Sequence, residues 1–358
     1  MPNYLDATFG VEIECYLPEG GTSLDIGNAI RQRTGQAGVP QSYNHSTPAP
    51  ATWKVTTDGS LQDYSRGIEV VSPILKGIEG LADVEKVMRT LADFGCTVSR
   101  RCGFHVHVGA PRNPPLDFFK SIVNLYAAFE PVLDSIMPPS RRASQNSFIR
   151  SLSAAGPQRV NQARSIDAIV AAIASGTGLE GNNRRYVKLN LLSFGRYTTI
   201  EFRQHSGTLD AAKATKWISI CLRMMNAAQG GFLINGPETA PSASLNQARP
   251  GTKAWRVGQM MLRPEGATGP EVCAELGWPS VSMVQQARVC GLTVITTRVG
   301  RNVRYFAQAA QASVSAQPSV APTITIDGFA DLIEASAEER EYLRQRQADL
   351  GGPIAWAA

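Results

Sequence analysis

Four short segments that alternate ionisable and apolar residues constrain this chain most strongly. They are Phe9-Gly10-Val11-Glu12-Ile13-Glu14, Gly67-Ile68-Glu69-Val70-Val71, Cys102-Gly103-Phe104-His105-Val106-His107-Val108 and Thr198-Thr199-Ile200-Glu201-Phe202-Arg203. In an extended strand, residues i and i+2 face the same way. Glu12 and Glu14, His105 and His107, and Glu201 and Arg203 are then same-face pairs, backed by β-branched and aromatic residues. Four such segments predict a sheet with one apolar face and one face lined by ionisable groups. Covering such a face is unfavourable unless the charges meet a metal, a phosphate or each other. The pattern therefore predicts an active site.

Composition sets outer limits. With 358 residues, 43% hydrophobic and 18% charged, the chain has core material for a catalytic domain and a small appendage. The mild net charge of +5 permits phosphate contact without requiring nucleic acid. No apolar run approaches the ~20 residues that span a bilayer, and no secretory leader is evident. A cytoplasmic location and no membrane partner are expected. The six cysteines show no CxxC spacing, so buried thiols are expected rather than a zinc site or disulfide framework.

Helical spacing predicts helices over Ile78–Phe94, Leu116–Met137, residues 157–176 and Asp210–Ala228. Strands are expected at Tyr186–Leu192 and Thr198–Gln204, joined by a turn at Ser193–Arg196. The Pro- and Ser-rich stretch from Gly35 to Thr52 is expected as a flexible loop or lid. Residues 1–230 thus form the catalytic domain, 231–250 a linker, 251–308 a winged helix-turn-helix-like domain, and 309–358 a flexible tail with a short acidic helix. The third region carries seven basic and three acidic side chains over 251–310. There Arg298, Arg301 and Arg304 are candidate DNA phosphate contacts, and a protein-docking role is the alternative.

Glutamates on several strands suit Mg²⁺, or Mn²⁺, better than zinc, since hard cations prefer carboxylate oxygens. Arg203, beside Glu201, is placed to neutralise a transferring phosphoryl group. Asp58, in Asp58-Gly59-Ser60, could hold an ammonium nucleophile and accept its proton, or could serve its turn alone. Arg185, Lys188 and Asn190 add a second polar and basic cluster for phosphate or carboxylate. Together these point to phosphoryl transfer from a nucleotide.

These strings occur in an order that resembles the amidoligase family of carboxylate–amine ligases. The resemblance rests on Glu12-Ile13-Glu14, Asp58-Gly59-Ser60, Gly67–Pro73, Gly103–Gly109, Arg185–Asn190 and, above all, Glu201-Phe202-Arg203-Gln204-His205-Ser206-Gly207-Thr208. Pro139-Ser140-Arg141-Arg142 with Asn146 is similar as well, and the likeness covers about residues 8–228. It implies an α+β fold: a curved, mostly antiparallel glutamine-synthetase-like sheet with flanking helices. It also implies ATP, Mg²⁺ and an acyl-phosphate route from a small-molecule or peptide carboxylate and an amine to an amide. Carried over, Glu12, Glu14, Glu69, His107 and Glu201 are metal ligands, with His105 the rival to His107. Arg203, Asp58, Arg185 and Lys188 are catalytic; His105, Arg141, Arg142, Asn190 and His205 bind nucleotide or substrate. The competing expectations are another metal-dependent phosphotransferase or hydrolase, and a DNA-binding regulator whose ligase-like domain senses a metabolite.

Overall fold

The alternating segments do form adjacent strands. The computed structural model describes residues 3–61, 63, 65–152, 156–231, 252–263, 266–290, 292–299, 302–309 and 325–350. It divides into one unit of Met1–Ile234 with Ile324–Ala358, and another of Asn235–Thr323.

The first unit runs β1 (Thr8–Tyr16), α1 (Ser23–Thr34), β2 (Ala37–Pro40), β3 (Thr52–Thr57), β4 (Gly67–Val71), β5 (Leu75–Lys76) and α2 (Gly77–Asp93). It continues with β6 (Phe104–Gly109), α3 (Leu116–Ser135), α4 (Gly156–Gln162), α5 (Ile166–Ala174), β7 (Leu189–Asn190), α6 (Ser193–Tyr197), β8 (Thr199–Phe202) and α7 (Ala211–Gln229). Its sheet has the order β2-β3-β4-β1-β6-β8-β7, with β5 paired to the start of β1. Among the named strand pairs of the described residues, β2–β3 alone is parallel. Along β1, Phe9, Val11, Ile13 and Cys15 are buried; Val55, Val70, Phe104, Val106, Ile200 and Phe202 continue that face across neighbouring strands. These side chains join Val84, Val87, Met88, Tyr126, Trp217 and Ile218 of the helices in one core. One face of the sheet is therefore sealed by helices, and the other is left for the ionisable residues.

Several boundaries differ from expectation. The helix α1 lacks a broad apolar stripe; only Ile26, Gly27 and Ile30 are buried. A reciprocal Thr22–Asp25 capping box starts it, and Gly35 (φ 73°) ends it in the left-handed conformation. Its contact with β2 is backbone against backbone. A Cβ on Gly27 would lie 2.6 Å from the Gly38 carbonyl oxygen, and one on Gly38 2.3 Å from that of Gly27. The Gly35–Thr52 stretch thus contains a strand, and only its middle is a loop. Residues 157–176 form two helices, α4 and α5. The expected Tyr186–Leu192 strand shrinks to β7 because the chain bends at Lys188, and α6 replaces the expected turn.

In the second unit, α8 (Lys253–Met261), β9 (Ala267–Thr268), α9 (Gly269–Leu276), α10 (Met283–Val289), β10 (Leu292–Val299) and β11 (Asn302–Ala309) surround a small core of Val257, Met260, Met261, Val272 and Met283. Its strands lie in the order β10-β11-β9. Residues 232–250 of the expected 231–250 linker lie outside the described residues. Within the expected flexible tail, α11 (Ile326–Leu332) and α12 (Ala337–Asp349) belong to the first unit instead. Phe329 packs on Phe129 with ring centroids 5.0 Å apart, and Arg223 pairs with Glu339 at 2.8 Å. Buried apolar side chains, Phe329, Ile333 and Leu343, tie this segment down despite its charge.

Candidate active site

Strand register assembles the site. Lys54, Val71, Glu12 and His105 form one cross-strand row. Thr56, Glu69 and Glu14 form the next, while Gly10, His107, Glu201 and Asn190 lie in the row on the other side. Directly paired residues share a face, so Glu12, Glu14, Glu69, His105, His107 and Glu201 all floor one cavity of about 1880 Å³. Asp58, Arg141, Arg142, Arg185, Asn190 and Arg203 also line it.

Three overlapping donor sets lie in this floor: Glu12, Glu69 and His105; Glu12, His107 and Glu201; and Glu14, Asp58 and Glu69. Within each set the ligand atoms fall within 4.8 Å of one another. His105 Nδ1 is 3.1 Å from Glu12, and its Nε2 is 3.6 Å from Glu14. Nδ1 of His107 is held by the Thr199 hydroxyl at 3.0 Å. Its buried Nε2 lies 3.4 Å from Glu12 and 3.8 Å from Glu201 with no aligned hydrogen bond. A ring nitrogen fixed on one side and unpartnered on the other, facing carboxylates, suits a divalent cation. Both histidines enter a donor set, and the orphaned nitrogen favours His107 as ligand.

Protonation reflects this crowding. Burial, with the nearby Glu12, Asp58 and Glu14 charges, pushes the Glu69 carboxyl well above the usual range. Glu14 is also raised, chiefly by burial. For Glu12, burial is outweighed by the neighbouring His105 and His107 rings, which hold it well below that range. Burial of Glu201 is likewise outweighed by Arg203 and His107. In His107 burial is overcome by the Glu201 and Glu12 charges, and its pKa is raised. Four glutamates and Asp58 with few cations among them leave a floor that a divalent cation would relieve.

Around the floor, Asn190 Nδ2 donates to Glu201 at 2.6 Å, and the Arg203 guanidinium donates to the other oxygen. Arg185 and Arg203 flank the Tyr186 ring at 4.9 and 5.9 Å. Buried Arg141 donates to the Arg101 and Cys102 carbonyls. Arg142 reaches the cavity edge, but its guanidinium binds the Met137 and Leu350 carbonyls at 2.7 and 3.1 Å. Asp58 accepts from the Ser60 amide and hydroxyl at 2.7 and 2.9 Å, an Asx turn that still leaves it in a donor set.

Two expected site residues are elsewhere. Lys188 is fully buried on the helix side of the sheet, 2.6 Å from both Glu130 and Asp134 of α3. The bend at Lys188 ends the alternation that would have aimed it at the cavity. His205, also at a bend, is buried against Trp217 and Phe104, and burial depresses its pKa to about 3. In the second unit, Arg304 pairs with Glu271 at 2.7 Å, which engages one expected phosphate contact. Arg301 and the side chain of Arg298 lie outside the described residues.

Other members were not anticipated. Thr199 alternates with Glu201, and Lys54 and Thr56 alternate with Asp58, so the same two-residue period would have found them. Gly103 donates its N–H to Glu14 at 2.6 Å, and a Cβ there would meet His105 Nε2 at 2.6 Å. His45 lines the cavity with Tyr43 and Tyr197.

Residues 5–225 match the family described as "Putative amidoligase enzyme". Among solved structures the chain is similar to a bifunctional glutathione synthetase from Pasteurella multocida, at 12% identity and a TM-score of 0.41. The alignment covers 98% of this chain and 48% of that one, so the chain spans about half its length. No curated protein matches at a significant level.

Proposed function

Because the chain belongs to the amidoligase family, we propose that it is an ATP-dependent carboxylate–amine ligase. In this reading a substrate carboxylate attacks the γ-phosphorus of ATP, releasing ADP and forming an acyl phosphate. An amine nitrogen then attacks the acyl carbon, phosphate leaves, and an amide remains. The observation that carries the reading is the convergence of Glu12, Glu14, Glu69, His107 and Glu201 on one cavity floor, with Arg203 at its edge.

Those five residues would hold Mg²⁺ or Mn²⁺, which supplies charge neutralisation for the phosphates and the carboxylate. Arg203, braced by Glu201, stabilises charge on the transferring phosphoryl group, with Arg185 as a second cation. Asn190 and Thr199 orient Glu201 and His107. Asp58 receives the proton of the attacking amine. Lys188 and His205 have no part in this chemistry.

The order of helices and hairpin in the second unit supports a winged helix-turn-helix reading, with nucleic acid or protein as its partner. Polarisation of a labelled duplex, titrated at two salt concentrations, tests the nucleic-acid arm.

The ligase test is ADP release with Mg²⁺ and pools of acids and amines, followed by mass analysis. ADP formation that needs both acid and amine, lost in Glu12→Gln and Glu201→Gln proteins that stay folded, is the expected result. ADP formation with water alone would favour a phosphohydrolase; full turnover in both variants would remove the site.

A further inference from the structure

Between β2 and β3, residues 41–51 cross the cavity, and Tyr43, Asn44, His45, Ser46, Thr47 and Pro48 line it. Three consecutive carbonyls of this segment are gripped from below. The Lys54 ammonium donates to the Asn44 oxygen at 2.9 Å and the Ser46 oxygen at 3.1 Å. The Tyr197 hydroxyl, from the opposite end of the sheet, donates to the His45 oxygen at 2.8 Å. Lys54 is only 4% exposed, and although its charge acts on Glu69, its hydrogen bonds go to these two carbonyls. A buried ammonium on an acidic sheet face that spends two hydrogen bonds on backbone carbonyls has a placement to explain.

We propose that residues 41–51 are a strap forming the substrate wall of the site, with Lys54 and Tyr197 as positioning residues that lash it over the metal-binding floor. The inference rests on the ligase reading for its substrate and deepens it. The anchors sit at opposite sides of the floor: Lys54 on β3, and Tyr197 at the end of α6 just ahead of β8. Tyr197 is followed by Thr198, a β-branched residue at φ 55°, a strained conformation that turns the chain between Tyr197 and Thr199. Thr199 holds His107, and the Tyr197 ring lies edge-on to His107 at 5.8 Å. One turn therefore fixes a candidate ligand and the far end of the strap together.

The strap presents Tyr43, 55% exposed, with its ring edge-on to His45 at 5.1 Å. A half-exposed aromatic lining the same cavity as the carboxylates suits a protonated amine, through its ring face and the acidic floor. The strap is accordingly the wall of the amine subsite, adjacent to Asp58.

Chymotrypsin cleavage after Tyr43, within the strap, reads the anchoring independently of turnover. Lys54→Met and Tyr197→Phe should each speed this cut about tenfold, as local opening becomes easier. Lys54→Arg, which can still reach both carbonyls, should stay near wild type. Mn²⁺ affinity, read by titration, should not fall in any of the three, because every candidate ligand is kept, and Lys54→Met should tighten it by removing a cation that acts on Glu69. With ligase substrates in hand, both loosened variants should raise KM for the amine more than for ATP. Unchanged cleavage in Lys54→Met and Tyr197→Phe would overturn the strap, and so would loss of Mn²⁺ binding in either. Absence of any ligase turnover would refute the proposed function and leave the cleavage result standing.

Discussion

Replacing Lys188 by Met separates a structural lysine from a catalytic one. Its ammonium is fully buried and lies 2.6 Å from Glu130 Oε1 and from Asp134 Oδ1, whose side chains are 10% and 0% exposed. The pair is part of a larger net. Asp134 also accepts from Gln204 Nε2 at 2.5 Å and the Ala143 amide at 2.8 Å, Glu130 accepts from the Leu152 amide at 3.1 Å, and the Tyr126 hydroxyl donates to Gln204. Methionine fills the volume but leaves two buried carboxylates facing each other with only neutral donors. Breaking a buried ion pair by removing one partner costs about 3–5 kcal/mol. That is a large share of a typical total of roughly 5–15 kcal/mol, and it should lower the urea midpoint by about 1–2 M for a domain of this size.

The pH dependence has a definite sign. Burial already raises the Glu130 carboxyl, and Lys188 is the first influence opposing it. Without Lys188 the folded state holds a carboxyl proton more tightly than the unfolded chain. The variant's stability deficit is then smallest in acid and grows as pH rises through the raised folded pKa. Adding Glu130→Gln to Lys188→Met should return part of the loss. Urea unfolding at pH 5 and pH 8 measures all of this. An unchanged midpoint with abolished turnover would refute the reasoning and put Lys188 back in the chemistry.

Further outcomes follow from the same geometry. Glu69→Gln removes a carboxylate crowded by Glu12, Glu14 and Asp58, so the metal-free protein should melt higher while the thermal shift on adding Mg²⁺ shrinks. Gly103→Ala places a Cβ 2.6 Å from His105 Nε2, so turnover should fall about a hundredfold for a displacement of this order, and circular dichroism should show the fold retained. His205, depressed by burial to about 3, binds a proton more readily unfolded than folded. Stability should therefore decline as pH falls below the ordinary histidine pKa, and His205→Gln should remove about 3 kcal/mol of that decline by pH 4.5, measured by urea melts of both proteins.

Much of the site was legible because a strand's period is two residues. Glu12, Glu14, Glu69, His105, His107 and Glu201 each lie inside a ladder, and there the sequence alternation translated directly into a shared face. The readings failed where the ladders stop. Lys188 precedes the two-residue strand β7, and His205 follows β8; both sit at bends, where a position counted by twos no longer says which face it takes. The helix α1 was missed for a related reason: two glycines let its backbone meet β2, so few apolar side chains were needed. The segment after residue 325 looked too charged to pack. Its few apolar residues, Phe329 and Leu343 foremost, nonetheless reach the main core.

Two ion clusters of this unit lie on opposite sides of one sheet and behave oppositely. Behind it, Lys188, Glu130, Asp134 and Gln204 satisfy one another, so that cluster is complete without a ligand. In front, Glu14, Asp58 and Glu69 crowd one another, and His107 keeps an unpartnered nitrogen. A self-sufficient cluster contributes rigidity and no binding, whereas an unsatisfied one destabilises the free protein and gains when cations arrive. The same strands carry both, since Phe202 and Gln204 look to the helices while Glu201 and Arg203 look to the cavity. The rear cluster ties the chain beside β7 and β8, which carry Asn190 and Glu201, to α3, so a softer join there would let Glu201 drift from Glu12 and His107. Loosening the rear cluster should therefore weaken Mn²⁺ binding before it unfolds the chain, although no rear residue touches the cavity.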